Sequence, residues 1–174
     1  PGQATYAASR RVILKGVDGL VFVANSAVDR WHENQQSWQE MTSNLLAQRI
    51  DPRRIPLVLQ FNKRALPQVM PIADLSRALN DRRALEFGAV ASKGDGVLET
   101  FAAILSLVVD DLRRSYAPLQ LPEGQTIETW TRQAVLGMFG ALTLEPKAPE
   151  AEPTGAPAEH TKVRIFTPQD SSVA

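Results

Sequence analysis

The chain has 174 residues, of which 44% are hydrophobic and 22% charged, the balance of one ordinary globular domain with room for an extension. Nineteen Lys plus Arg offset 19 Asp plus Glu, so net charge gives no ground for a nucleic-acid or anionic-membrane partner. There is no Cys, and the two His, His32 and His160, are far apart, which excludes thiol chemistry and disulfides and argues against a metal centre.

The chain opens at Pro1 without an initiator Met, which predicts either processing or a piece of a longer protein. No secretory signal pattern follows, and the longest apolar run, Leu20–Ala24, is strand-sized. A membrane-spanning helix needs about 18 apolar residues, so no span and a cytoplasmic location are expected. Residues 5–16 read as a helix stopped by Gly16. Residues 19–25 and 56–62 are nearly continuous apolar runs, the pattern of strands buried on both faces. Between them, residues 30–49 form an amphipathic stretch with Trp31, Gln35, Trp38, Leu45 and Leu46 near helical spacing, closed by Asp51-Pro52. A short helix over 72–80 and a third strand over 86–92 follow. Residues 96–114 give the strongest helix, with Val97, Phe101, Ile104, Leu105, Val108 and Leu112 on one stripe.

Strands alternating with helices predict an α/β fold with a parallel sheet and helices on both faces. Ligands in such sheets bind beyond the carboxyl ends of the strands. Those ends carry Asn25-Ser26, Asn62-Lys63 and Ala91-Ser92-Lys93. Residues 116–125 read as a linker. Residues 126–143 read as a further helix that either packs on the domain or binds a partner, its Gly137 and Gly140 lowering intrinsic helicity. Residues 144–174 read as a Pro/Ala/Glu-rich disordered tail, within which Val163–Phe166 could form an isolated strand or docking peptide. Trp31 and Trp38 are expected to pack on the sheet and His32 to be solvated.

Asn62-Lys63-Arg64-Ala65 after the second strand, Val90-Ala91-Ser92 after the third, and Pro1-Gly2-Gln3 at the start resemble three motifs of the Ras-like small GTPases. Ala8-Ser9-Arg10, the run Ile13–Gly19, Val21–Ala24 and Asn62–Arg64 are similar in register to the bacterial gliding-motility MglA family, over about residues 1–115. The resemblance implies the C-terminal half of a three-layer P-loop NTPase domain. It further implies a guanine site at Asn62, Lys63, Ala91 and Ser92, with the Ala91 N–H aimed at the guanine carbonyl. Gly2 would bind the γ-phosphate, and Gln3 would orient the attacking water as the catalytic residue. GTP or GDP and Mg²⁺ are the implied cofactors of an intact domain, and the implied partners are protein effectors and a GTPase-activating protein of the roadblock type.

Two departures stand beside this resemblance. No Gly-x-x-x-x-Gly-Lys-Ser/Thr phosphate loop occurs in the 174 residues, so the chain alone is not expected to bind nucleotide tightly or to hydrolyse it. Ala65 stands where the family's motif has an Asp that accepts two hydrogen bonds from guanine, a loss of roughly 2–3 kcal/mol of selectivity. The alternative reading is a degenerate Ras-like interaction protein without hydrolysis.

Overall fold

A computed structural model describes residues 14–115, 121–142 and 163–166. Its elements are β1 (Gly19–Asn25), α1 (Trp31–Ala47), β2 (Leu57–Asn62), α2 (Ile72–Leu79), β3 (Leu85–Gly88), α3 (Val97–Ser115), α4 (Ile127–Leu142) and β4 (Val163–Phe166). The sheet order is β3-β2-β1-β4, and all three pairings are parallel.

The central strands are apolar on both faces because both are covered. Leu20, Phe22 and Ala24 of β1, with Leu57, Leu59 and Phe61 of β2, face a core completed by Met41 and Leu45 of α1 and Leu75 and Leu79 of α2. Val21, Val23 and Val58 face the opposite layer, against Ile104 and Val108 of α3. Strand alternation thus divides one run of residues between two helix layers. The expected three-layer arrangement is observed.

Several local expectations shift. The expected first helix lies mostly outside the described residues; Leu14–Gly16 forms a turn, with Gly16 at φ +64°. In α1 the buried face runs through Asn34, Ser37, Met41 and Leu45, whereas Gln35 and Leu46 are exposed. Trp38 meets Phe22 edge-to-face at 4.9 Å, as expected of a residue on the sheet. His32 is exposed, as expected.

The third strand ends at Gly88, not at Ser92. Beyond it the chain turns back on itself: Val90 bridges Asp95 in antiparallel fashion, and Ala91–Lys93 forms a 3-10 turn.

Helix α4 packs on α3. Thr131 and Val135 are buried, Phe139 meets Phe101 edge-to-face, and the Ser106 and Thr131 hydroxyls share a hydrogen bond. Val163–Phe166, read as a possible isolated strand within the tail, pairs with β1 and extends the sheet as β4. The pairing satisfies backbone groups on the side of β1 that faces away from β2. The linker residues 116–120 and the tail residues 143–162 and 167–174 lie outside the described residues.

Candidate functional site

The carboxyl ends of β1 and β2 lie side by side, with Asn25 opposite Asn62. Each ends in an Asn whose side chain organises the following loop. Asn25 Oδ1 accepts from Ala27 N at 3.1 Å. Asn34, fully buried on α1, donates from Nδ2 to the Asn25 carbonyl at 2.7 Å and accepts the Asn25 N–H at 3.0 Å. Asn34 was not among the expected site residues. Its spacing to Trp38, Met41 and Leu45 places it on the core-facing stripe and is the signal that finds it.

Asn62 Oδ1 accepts two backbone N–H groups, from Lys63 at 2.7 Å and from Ala91 at 3.0 Å. One side chain therefore clamps the loop after β2 to the loop after β3. Two backbone bonds reinforce the clamp, Ala89 N to the Phe61 carbonyl at 2.9 Å and Arg64 N to the Ala89 carbonyl at 3.1 Å. Lys63 adopts φ +65°, a left-handed conformation uncommon for a side chain larger than Asn, and this turns the chain sharply out of the strand. The Arg64 guanidinium donates to the Met70 carbonyl at 2.6 Å and closes the far side of the loop.

The second loop is seated from below. Gly96 sits at φ +75°, and a Cβ there would lie 2.3 Å from the Gly88 carbonyl oxygen. Only glycine lets the loop return this close to β3. Gln60 donates from Nε2 to Thr100 Oγ1 at 3.0 Å and to the Gly96 carbonyl at 3.3 Å. Thr100 donates to the same carbonyl at 2.6 Å. This buried network ties the start of α3 to β2.

The structure brings four of the expected site residues together: Asn62, Lys63, Ala91 and Ser92. Asn62 and Lys63 are half-buried, and Ala91 and Ser92 are exposed. Ala65 is exposed in the same turn and offers only a methyl group. The Ala91 N–H differs from expectation: it is taken by Asn62 Oδ1 and does not stand open toward a ligand carbonyl. Gly2 and Gln3 lie outside the described residues. Ser26, the residue after β1, is fully buried, and its hydroxyl has no hydrogen-bond partner among the described residues.

A guanine base fits this arrangement in part. The loop is shaped and braced by Asn62, but the acceptor for the base edge is absent and the amide donor is engaged. No Mg²⁺ ligand set follows either; among the described residues no group of three His, Asp or Glu is placed to hold a metal ion. No described helix is long and apolar enough to cross a membrane. The large cleft of about 1290 Å³ is elsewhere, between α3, α4 and β3, lined by Leu85, Phe87, Leu107, Ile127 and Leu136 and by none of the loop residues above.

A parallel sheet layered between helices, with an Asn-Lys loop clamped to a second loop at its carboxyl end, is the α/β arrangement of the Ras-like, P-loop-type fold, present here in part. No protein-family model matches the chain. The chain is 45% identical over 114 residues to the mutual gliding-motility protein MglA of Myxococcus xanthus (strain DK1622), a match covering 66% of this chain and 58% of that protein. That identity supports assignment of the chain to the MglA family. It spans a little over half of that relative's length.

Proposed function

We propose that this chain carries the base-recognition half of a GTP-binding switch acting in gliding motility or cell polarity. The observation that carries the reading is the Asn62 side chain bridging the Lys63 and Ala91 amides, because it builds a preformed loop pair at the sheet's carboxyl end. The name of the 45%-identical relative supplies the motility context. On this reading, Lys63 lies along the base and the 89–93 loop borders it. Gly2 meets the γ-phosphate, Gln3 orients water, and the remaining phosphate and Mg²⁺ contacts come from residues this chain does not contain. Partners are protein regulators and effectors, including a GTPase-activating protein of the roadblock type, and the setting is the cytoplasm.

Ala65 favours a second reading, a Ras-like interaction protein that keeps the scaffold without hydrolysis. One titration separates the two. Millimolar GDP added to the isotopically labelled chain is expected to shift the amides of Lys63, Arg64, Ala91 and Ser92, with weak affinity because most charge-assisted phosphate contacts are lacking. Shifts confined to other residues, or none at all, would leave only the interaction protein.

A further inference from the structure

Strand β3 ends the sheet on the side away from β1, and its backbone groups divide between two directions. Ala89, just past the strand, donates its N–H to the Phe61 carbonyl and accepts the Arg64 N–H, so its groups face β2. Extended backbone alternates, so Leu85 and Phe87 also bond toward β2, whereas Ala84, Glu86 and Gly88 turn outward. Asn80 covers the first of these. Its side chain accepts the Ala84 N–H at 2.7 Å and donates to the Ala84 carbonyl at 2.8 Å. The N–H and carbonyl of Glu86 have no partner among the described residues. A strand edge left open in this way is a template for another chain.

The side chains of the same strand supply a second, independent observation. Leu85 and Phe87 line the cleft of about 1290 Å³, whose other walls include α3 and the Ile127, Val135 and Leu136 side of α4. Leu85 and Leu136, on different walls, are 50% and 53% exposed, so the apolar lining is open to solvent. A further strand would lie about 4.8 Å beyond β3, with every second side chain on the face of Leu85 and Phe87. The cleft exceeds the roughly 300–1000 Å³ of a small-molecule pocket, which favours a polypeptide occupant. Residues 1–13, 116–120, 143–162 and 167–174 hold no two Val, Leu, Ile, Phe or Tyr spaced two apart, and Val163 and Ile165 are committed to β1. The remainder of these 174 residues thus offers no second strand of the required pattern.

We propose that the open edge of β3 docks an extended segment of a partner protein, which pairs with Glu86 and Gly88 and sets apolar side chains at alternate positions into the cleft. Main-chain bonds hold the segment and the cleft selects its alternate residues, the division of labour of a strand added to a sheet. The surface involves neither Asn62 nor Lys63, so it stands or falls apart from the nucleotide reading.

The test uses the full chain, isotopically labelled, and a blocked seven-residue peptide alternating Thr with Val. Its control has the same composition with the three Val contiguous. At millimolar concentration the alternating peptide is expected to shift the amides of Glu86, Gly88, Ile127 and Leu136 and to slow exchange of the Glu86 amide. Leu136→Lys should weaken binding by about tenfold or more, whereas Leu46→Lys, at a similarly exposed Leu on α1, should leave it unchanged. Both positions are more than half exposed, so both variants should fold. Glu86→Pro, which removes the outward N–H and spares the ladder with β2, should also lower the affinity. No shift at β3, an equal response to the contiguous-Val peptide, or an unchanged affinity in Leu136→Lys would overturn the proposal. So would sedimentation of the free chain as a dimer that Glu86→Pro abolishes, since a second copy would then hold the edge.

Discussion

Asn62 and Ala91, 29 residues apart in sequence, are joined by a 3.0 Å hydrogen bond from the Ala91 amide to the Asn62 side chain. The same oxygen holds the Lys63 amide. Asn62→Ala strands both donors and should destabilise the fold by about 1–3 kcal/mol. Urea denaturation measures the loss. Amide exchange should accelerate at Lys63 and Ala91 first, and unchanged exchange at both would mean that the clamp is not formed in solution.

Ala65→Asp should restore an acceptor at the edge of the candidate base loop. The expected outcome is a rise in affinity for GTP relative to ATP, by up to roughly 2–3 kcal/mol where two hydrogen bonds to a charged acceptor are regained. Competition between the two nucleotides, before and after the substitution, provides the ratio. If it does not move, the base is not held at this turn.

Gly94 and Gly96 provide an internal comparison. Both have positive φ, +82° and +75°, but a Cβ at Gly94 meets nothing within 4 Å, whereas one at Gly96 lies 2.3 Å from a backbone oxygen. Gly94→Ala should cost about 1–2 kcal/mol, the left-handed penalty alone. Gly96→Ala carries that penalty plus a backbone displacement, so its melting temperature should fall further. Equal shifts for the two variants would contradict the close approach of the 89–96 loop to β3.

Composition alone predicts that removing residues 145–174 leaves stability unchanged. The pairing of β4 with β1 reverses that expectation. Truncation after residue 162 should lower the melting temperature and unprotect the amides of β1 that face the vacated edge. An internal deletion confined to residues 147–158 should have little effect on stability, because it leaves the paired residues Val163–Phe166 in the chain. The truncation is scored against this internal deletion; equal melting temperatures for the two would remove β4 from the fold.

Arg82 fixes the turn between α1 and β2. Its guanidinium donates to the Ile55 carbonyl at 2.7 Å and also to the Pro52 carbonyl. Burial holds it below its ordinary pKa, partly offset by Asp81 and Asp51. Arg82→Ala should destabilise by about 1–3 kcal/mol, and Arg82→Lys should recover part, since one ammonium reaches two carbonyls less well than a planar fork. Chemical denaturation of the pair checks the order.

Much of the fold was legible because buried strands and amphipathic helices leave periodic traces. The runs 19–25 and 56–62 and the stripe from Phe101 to Val108 needed no tertiary information. The misreadings arise where a polar residue is buried or a residue is committed at long range. Asn34 belongs to the buried face of α1 because it satisfies the backbone of Asn25 at the end of β1, and a spacing read through Gln35 and Leu46 misses that face. Val90 and Ala91 continue the composition of β3, yet they leave it because Asp95 and Asn62 capture their amides. At the candidate site, the family resemblance singled out Asn62, Lys63, Ala91 and Ser92, which the structure places on adjoining loops. The engagement of the Ala91 N–H was not, since it depends on a rotamer 29 residues away. For β4 the extended stretch Val163–Phe166 was legible as a possible strand, but its pairing with β1 was not.

Helix α3 begins in the loop that meets Asn62 and carries α4 along its flank. Its 19 residues span about 28 Å, and its first turn is locked to Gln60 through Thr100 and Gly96. A rod anchored in this way has little freedom to bend between its two ends. A tilt imposed where the 89–96 loop closes would therefore be carried to the Phe101–Phe139 and Ser106–Thr131 contacts. A fluorophore on the exposed side of α4, at Arg132 for example, would report movement of α3 against this extension.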